Sequence, residues 1–102
     1  MPTSNPKEVW VVNTITLKDA SKAQSVADLQ LELVDKVKRT WPGFVSQQTL
    51  VAQDGKTVTT VEAWVNFETL KAITADARLL AYRARIEELA TLSPILYRRA
   101  DR

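Results

Sequence analysis

A carboxamide, an indole, a carboxylate and a phenol stand where they could act on one small molecule: Asn13, Trp64, Glu62 and Tyr82. Asn13 breaks an apolar row. In EVWVVNTITL, residues 8–17, the alternate positions Val9, Val11, Asn13, Ile15 and Leu17 share one face, because strand side chains alternate with a period of two. A core-facing carboxamide needs hydrogen-bond partners: a backbone group at a bulge, a water or a ligand. Trp64 falls on the equivalent face of a later strand, where an indole is either a core residue with a satisfied N–H or a donor in a pocket. Neither donor titrates near neutral pH, so both suit an oxygen on which negative charge develops. Glu62 shares the Trp64 row. A carboxylate turned inward there either accepts a substrate proton or is paired with an Arg or Lys at the sheet edge. Tyr82, on the last helix, reaches the same pocket or packs in the core with its hydroxyl wet.

Composition narrows the chemistry further. The chain of 102 residues has no cysteine and no histidine, which removes disulfides, thiolate nucleophiles, the commonest general base and the usual ligands of haem and transition metals. Only oxygen-ligand metals such as Mg2+ would remain, and no acidic residues stand at ligand spacing, so no cofactor is expected. Fourteen basic against twelve acidic side chains give a net charge of +2, too small an excess to imply nucleic acid or an anionic membrane. MPTSNPK at the start contains no apolar run, and no stretch approaches the length of a membrane span. These features set the expectation of a cytoplasmic protein with a short flexible tail, residues 1–7, and one globular domain, 8–102.

The elements that must position these groups follow from periodicity. Residues 8–17 predict a strand that is apolar on both faces, since Trp10 and Val12 occupy the second row. From residue 19 or 21 to 41 the spacing of Ala23, Val26, Ala27, Leu29, Leu33, Val34, Val37 and Trp41 predicts a helix, with Glu32–Lys36 and Asp35–Arg39 paired on its polar side. Trp41-Pro42-Gly43 ends it. Residues 44–52 and 57–66 predict two strands joined at Asp54-Gly55. A short helix over 67–75 and a longer one over 76–90, with Leu79, Tyr82, Ile86 and Leu89 on its face, precede a break at Ser93-Pro94 and a last strand over 95–99. The order β-α-β-β-α-β is that of an α+β, ferredoxin-like fold, in which helices cover one face of a four-stranded antiparallel sheet. The other face, with Trp10, Val12, Val61, Ala63 and Val65, would be open in a monomer, which predicts a homodimer packed sheet to sheet.

Pro42-Gly43-Phe44 opening the second strand, the Asp54-Gly55 hairpin, Glu62-Ala63-Trp64 ending the third strand before a short helix, and Asn13 in the first together resemble the antibiotic biosynthesis monooxygenase family of dimeric α+β barrels. The resemblance implies a pocket inside each subunit, between sheet and helices. It implies an activity as well: oxidation of an electron-rich polycyclic aromatic or quinol, of the anthrone type, by O2 without metal or flavin, with Asn13 and Trp64 stabilising the substrate anion. A hydroxy-aromatic that loses a proton can itself pass electrons to O2, so substrate replaces cofactor. Some members place an Asn four residues before the Trp, where this chain has Thr60, and some a Tyr six residues after it, where this chain has Leu70; by position both would contact substrate, as would Glu62 and Tyr82. The haem-degrading branch pairs a first-strand Asn and a third-strand Trp with an iron-ligating His on the last helix. Tyr82 stands about there, and haem degradation is disfavoured.

Two other classes share the element order. RNA-recognition modules need exposed aromatic and basic residues on the central strands, and residues 57–66 offer Glu62, one Trp and no Lys or Arg beyond the hairpin. A dimeric barrel that only binds a small hydrophobic ligand, or a related polyketide-tailoring isomerase or cyclase, would carry the same pattern, since fold does not fix function.

Overall fold

Strand alternation and the turn at Gly55 between the second and third strands generate a single antiparallel sheet. The computed structural model describes residues 6–100, so most of the expected tail lies outside the described residues. Within them the chain runs β1 (Val9–Leu17), α1 (Ala23–Lys36), β2 (Phe44–Val51), β3 (Thr57–Trp64), α2 (Phe67–Ile73), α3 (Ala77–Leu89) and β4 (Ala90–Arg98), with 3-10 turns at Ala20–Lys22 and Lys38–Thr40 flanking α1. The sheet order is β2-β3-β1-β4. This is the ferredoxin-like α+β arrangement, with β1 and β3 central because both carry apolar residues on both faces.

Three boundaries differ from the sequence expectation, the smallest being the end of β3 at Trp64, because Asn66 instead caps α2 by accepting the Thr69 N–H. The last helix stops at Leu89, and β4 begins at Ala90 rather than after Pro94. Pro94 is an interior residue of that strand, which an edge position tolerates because one side of the strand needs no ladder donors. The first helix also ends early, at Lys36: Val37 takes φ −122° and ψ −62°, and a tighter turn continues to Thr40. The expected pairs do form on the outer side of α1, Lys36 to Glu32 at 2.8 Å and Arg39 to Asp35 at 3.2 Å.

Pairing register fixes what lies under the helices. Four rows cross the helix-side face from β2 to β4: Phe44, Trp64, Val9, Arg98; then Gln47, Glu62, Val11, Leu96; then Thr49, Thr60, Asn13, Pro94; then Val51, Val58, Ile15, Leu92. At the centres of the middle two rows Glu62, Thr60 and Asn13 are polar, and only Val11 is apolar. These rows divide the core. On one side Val11, Leu33, Val37, Trp64, Leu70, Ile73 and Leu79 form an apolar cluster, with Phe44 set edge-on to Trp64 at 5.4 Å between ring centres. On the other, Ile15, Ala23, Val26, Ala27, Val58, Ile86 and Ala90 form a second.

Among the described residues, the opposite face of the sheet carries no helix. Trp10, Val12 and Val61 are half-buried there, and Ile95 and Tyr97, paired in register with Val12 and Trp10, are 53% and 48% exposed.

Candidate active site

Between the two clusters lies a cavity of about 450 Å³. The sheet supplies its floor through Val11, Asn13, Thr60 and Glu62. Gln30 and Leu33 of α1 and Lys38 of the following turn form one wall, α2 and α3 supply Leu70, Ile73, Leu79 and Ile86, and β4 closes the side with Leu92, Pro94 and Leu96. The exposed side chains of Lys71, Arg83 and Glu87 stand at the mouth.

Asn13 is held by one end. Its carbonyl Oδ1 accepts the backbone N–H of Ser93 at 3.0 Å, beside Pro94, the residue paired with Asn13 across β1 and β4. That is the bond to neighbouring backbone weighed from sequence. It occupies only the oxygen, so the side-chain NH2 has no protein partner among the described residues. A carboxamide anchored this way is a preorganised donor, since rotation about its last bond would sacrifice the Ser93 contact.

Glu62 is buried and paired. Lys38 Nζ donates to Glu62 Oε2 at 2.5 Å and to Gln47 Oε1 at 2.6 Å, while Gln47 Nε2 donates to Thr49 Oγ1 at 3.3 Å. The Lys38 and Glu62 side chains are only 8% and 10% exposed. Such a pair is poor stabilising material, because removing two charges from water costs about what their attraction returns. It nevertheless places both groups at the cavity wall. Thr60 and Gln30, each 3% exposed, also line the cavity, and neither side chain has a hydrogen-bond partner among the described residues.

Of the residues singled out from sequence, Asn13, Thr60, Glu62 and Leu70 therefore meet at one cavity. Trp64 and Tyr82 do not line it. Trp64 is fully buried one layer away, in the cluster that shares Val11, Leu70 and Ile73 with the cavity wall, and its indole N–H has no partner among the described residues. Tyr82 packs half-buried on the same cluster, with the Arg85 guanidinium 5.7 Å above its ring. Gln30 and Lys38 were not anticipated. The signal was present: at helical spacing they continue the stripe of Val26, Ala27 and Val34, and so interrupt an apolar face as Asn13 does on the strand.

Among the described residues no three Asp or Glu side chains gather as they would around a metal ion. No family model and no curated protein matches the chain. Solved structures do. SnoaB, a cofactor-independent oxygenase from Streptomyces nogalater, superposes with a TM-score of 0.77 at 19% identity over 94% of this chain and 96% of its own. The monooxygenase ActVA-Orf6 of Streptomyces coelicolor, solved in complex with nanaomycin D, gives 0.81 at 19% identity over 96% and 91%. A Nitrosomonas europaea protein assigned to the antibiotic biosynthesis monooxygenases gives 0.80 at 14% identity over 97% and 95%. The fold is that of the antibiotic biosynthesis monooxygenases. Within this fold the cavity occupies the space between sheet and helices that the sequence resemblance implied, and its polar floor comes from the two central strands.

Proposed function

We propose that the cavity is the active site of a cofactor-independent monooxygenase that oxidises an electron-rich hydroxy-aromatic of the anthrone or quinol type with O2, in a homodimer formed through the open sheet faces. The observation that carries this reading is the anchored carboxamide of Asn13, whose free NH2 borders a largely apolar cavity of about 450 Å³. That volume lies within the roughly 300–1,000 Å³ of small-molecule sites, large enough for a fused aromatic ring system. Similarity of fold to SnoaB and ActVA-Orf6 supports the reaction class.

Such a reaction needs no external reductant. Deprotonation yields an anion delocalised over carbon and oxygen; its electrons reduce O2, one oxygen atom enters as a carbonyl at the former methylene, and the other leaves as water. The protein then has two tasks: to exclude solvent and to hold donors at the oxygen where charge develops. Asn13 is the first donor. Trp64 is the second, with an N–H that lacks a protein partner among the described residues and a place in the cluster directly behind the cavity wall. Thr60, Glu62 and Leu70 contact the ring system, and Tyr82 backs the wall from the neighbouring cluster.

The test is O2 consumption by metal-free protein with a panel of anthrones and hydroquinones. Wild type should exceed buffer on at least one, and Asn13→Ala should lower turnover by roughly 10²–10³, the loss typical of one preorganised donor. Trp64→Phe should also lower it. If wild type matches buffer on all of them yet binds a member of the panel, the chain is a hydrophobic-ligand carrier and the oxygenase reading is wrong.

A further inference from the structure

The polar end of the cavity holds more than the donors assigned above. Lys38 Nζ spends two N–H groups on Glu62 Oε2 and Gln47 Oε1, leaving a third without a partner among the described residues. Glu62 Oε1 is likewise unclaimed. Both side chains are at least nine-tenths buried and both line the cavity beside Thr60 and Gln30, whose polar atoms also lack protein partners. Gln47 Nε2 in turn donates to Thr49 Oγ1, which orients the carboxamide oxygen toward the ammonium. The remaining charged groups of the wall, Lys71, Arg83 and Glu87, are exposed at the mouth, on α2 and α3.

We infer that the Lys38–Glu62 pair ionises the substrate: Glu62 takes the proton of an aromatic hydroxyl, and Lys38 becomes the counter-ion of the oxyanion that remains. The inference rests on the cavity being an aromatic-substrate site. The O–H bond of the substrate breaks and an O–H bond to Glu62 Oε1 forms; nothing is oxidised or reduced. Before transfer the ammonium faces a carboxylate, and afterwards it faces a phenolate and a neutral acid. The site holds one cation and one anion throughout, so the proton moves without creating net charge in a low-dielectric space. A lone buried carboxylate would lack this advantage, because the phenolate it produced would have no cation beside it. The selectivity follows from the same geometry: the ligand class is a hydroxy-aromatic whose hydroxyl sits at the polar end of the cavity, rather than a fully methylated one.

The experiment uses 2-hydroxyanthraquinone, which is already a ketone at the oxidisable position and changes its visible absorption when its hydroxyl ionises. At a pH where the free dye is neutral, wild type should bind it in the phenolate form. Titration in buffers of differing ionisation enthalpy should show that no proton reaches solvent. Glu62→Gln should still bind phenolate but expel one proton to the buffer. Lys38→Met should bind the neutral dye, with ionisation reduced roughly 10- to 1000-fold, as expected when an opposite charge within a few ångströms is removed. If Lys38→Met does not fold, Lys38→Met combined with Glu62→Leu replaces the pair by apolar groups and should bind neutral dye with no proton exchange. Wild type that binds the dye neutral, or that expels a proton to buffer, overturns the inference and leaves the aromatic site standing. Wild type that binds no dye overturns both.

Discussion

Single residues in this protein are informative where their type contradicts the periodicity around them. Asn13 is legible from sequence because a strand period of two exposes one carboxamide in a row of Val, Ile and Leu. Gln30 and Lys38 break the stripe of α1 in the same way, yet a helix stripe is broad, and a polar residue on it reads as a flank until a cavity shows which side it faces. The partner of Glu62 was legible only as a type, an Arg or Lys, because its identity depends on where α1 gives way to a tighter turn. The Lys38–Glu62 pair has a mechanical signature of its own. Lys38→Met leaves a carboxylate 10% exposed and unpaired, so chemical denaturation should show a loss of roughly 3–5 kcal/mol. Adding Glu62→Leu should recover most of that loss, because the unpaired charge and not the missing attraction is what costs. A double variant as unstable as the single one would show that the pair is needed for packing instead.

At the scale of elements, two joints set how the helices sit on the sheet. Asp76 caps α3: its carboxylate accepts the backbone N–H of Arg78 at 2.7 Å, the Arg78 side chain at 2.8 Å and the indole N–H of Trp41 at 2.8 Å. The Arg78 side chain foremost, then Trp41, hold this carboxyl well below the ordinary carboxylate range. A depressed folded value means that the contribution is complete above the ordinary value of 3.8 and is lost as pH falls below it. Asp76→Asn keeps a capping oxygen but no charge, so its Tm should be lower at neutral pH and should fall less steeply than that of wild type from about pH 5 to pH 2. Parallel Tm curves would refute the assignment.

The second joint is Gly43, at φ +94°, whose carbonyl accepts the Val65 N–H at 2.8 Å. A Cβ there would stand 2.8 Å from Thr69 Cγ2, in the first turn of α2, whereas one at Gly55, φ +72°, meets nothing closer than 3.7 Å. Gly55→Ala should cost about 1–2 kcal/mol for the left-handed backbone alone. Gly43→Ala should cost more by calorimetry, since it adds a collision. Sequence shows both glycines as turn residues, but only the fold distinguishes them. The same limit explains β4, where Pro94 reads as a boundary until the strand is known to lie on an edge.

For the whole molecule, the unshielded sheet face governs association. Trp10, Val12, Val61, Ile95 and Tyr97 form a patch across the central strands and β4, and burying each fully contributes about 1.5–3 kcal/mol before association costs. Sedimentation at micromolar concentration is expected to give a dimer, and Val61→Glu a monomer that remains folded. A wild-type monomer would contradict the paired-face arrangement. β4 decides what form such association takes. It lies at one end of the sheet and leaves Ile95, Leu96 and Tyr97 about half exposed, the sort of border on which fibres are templated. At its middle, however, Pro94 has no N–H, and the N–H of Ser93 points back to Asn13 on β1, so an incoming strand would find a donor missing from the open side. The proline beside the Asn13 anchor thus blunts an aggregation-prone border, and growth is steered away from open-ended stacking toward closed, face-to-face pairs.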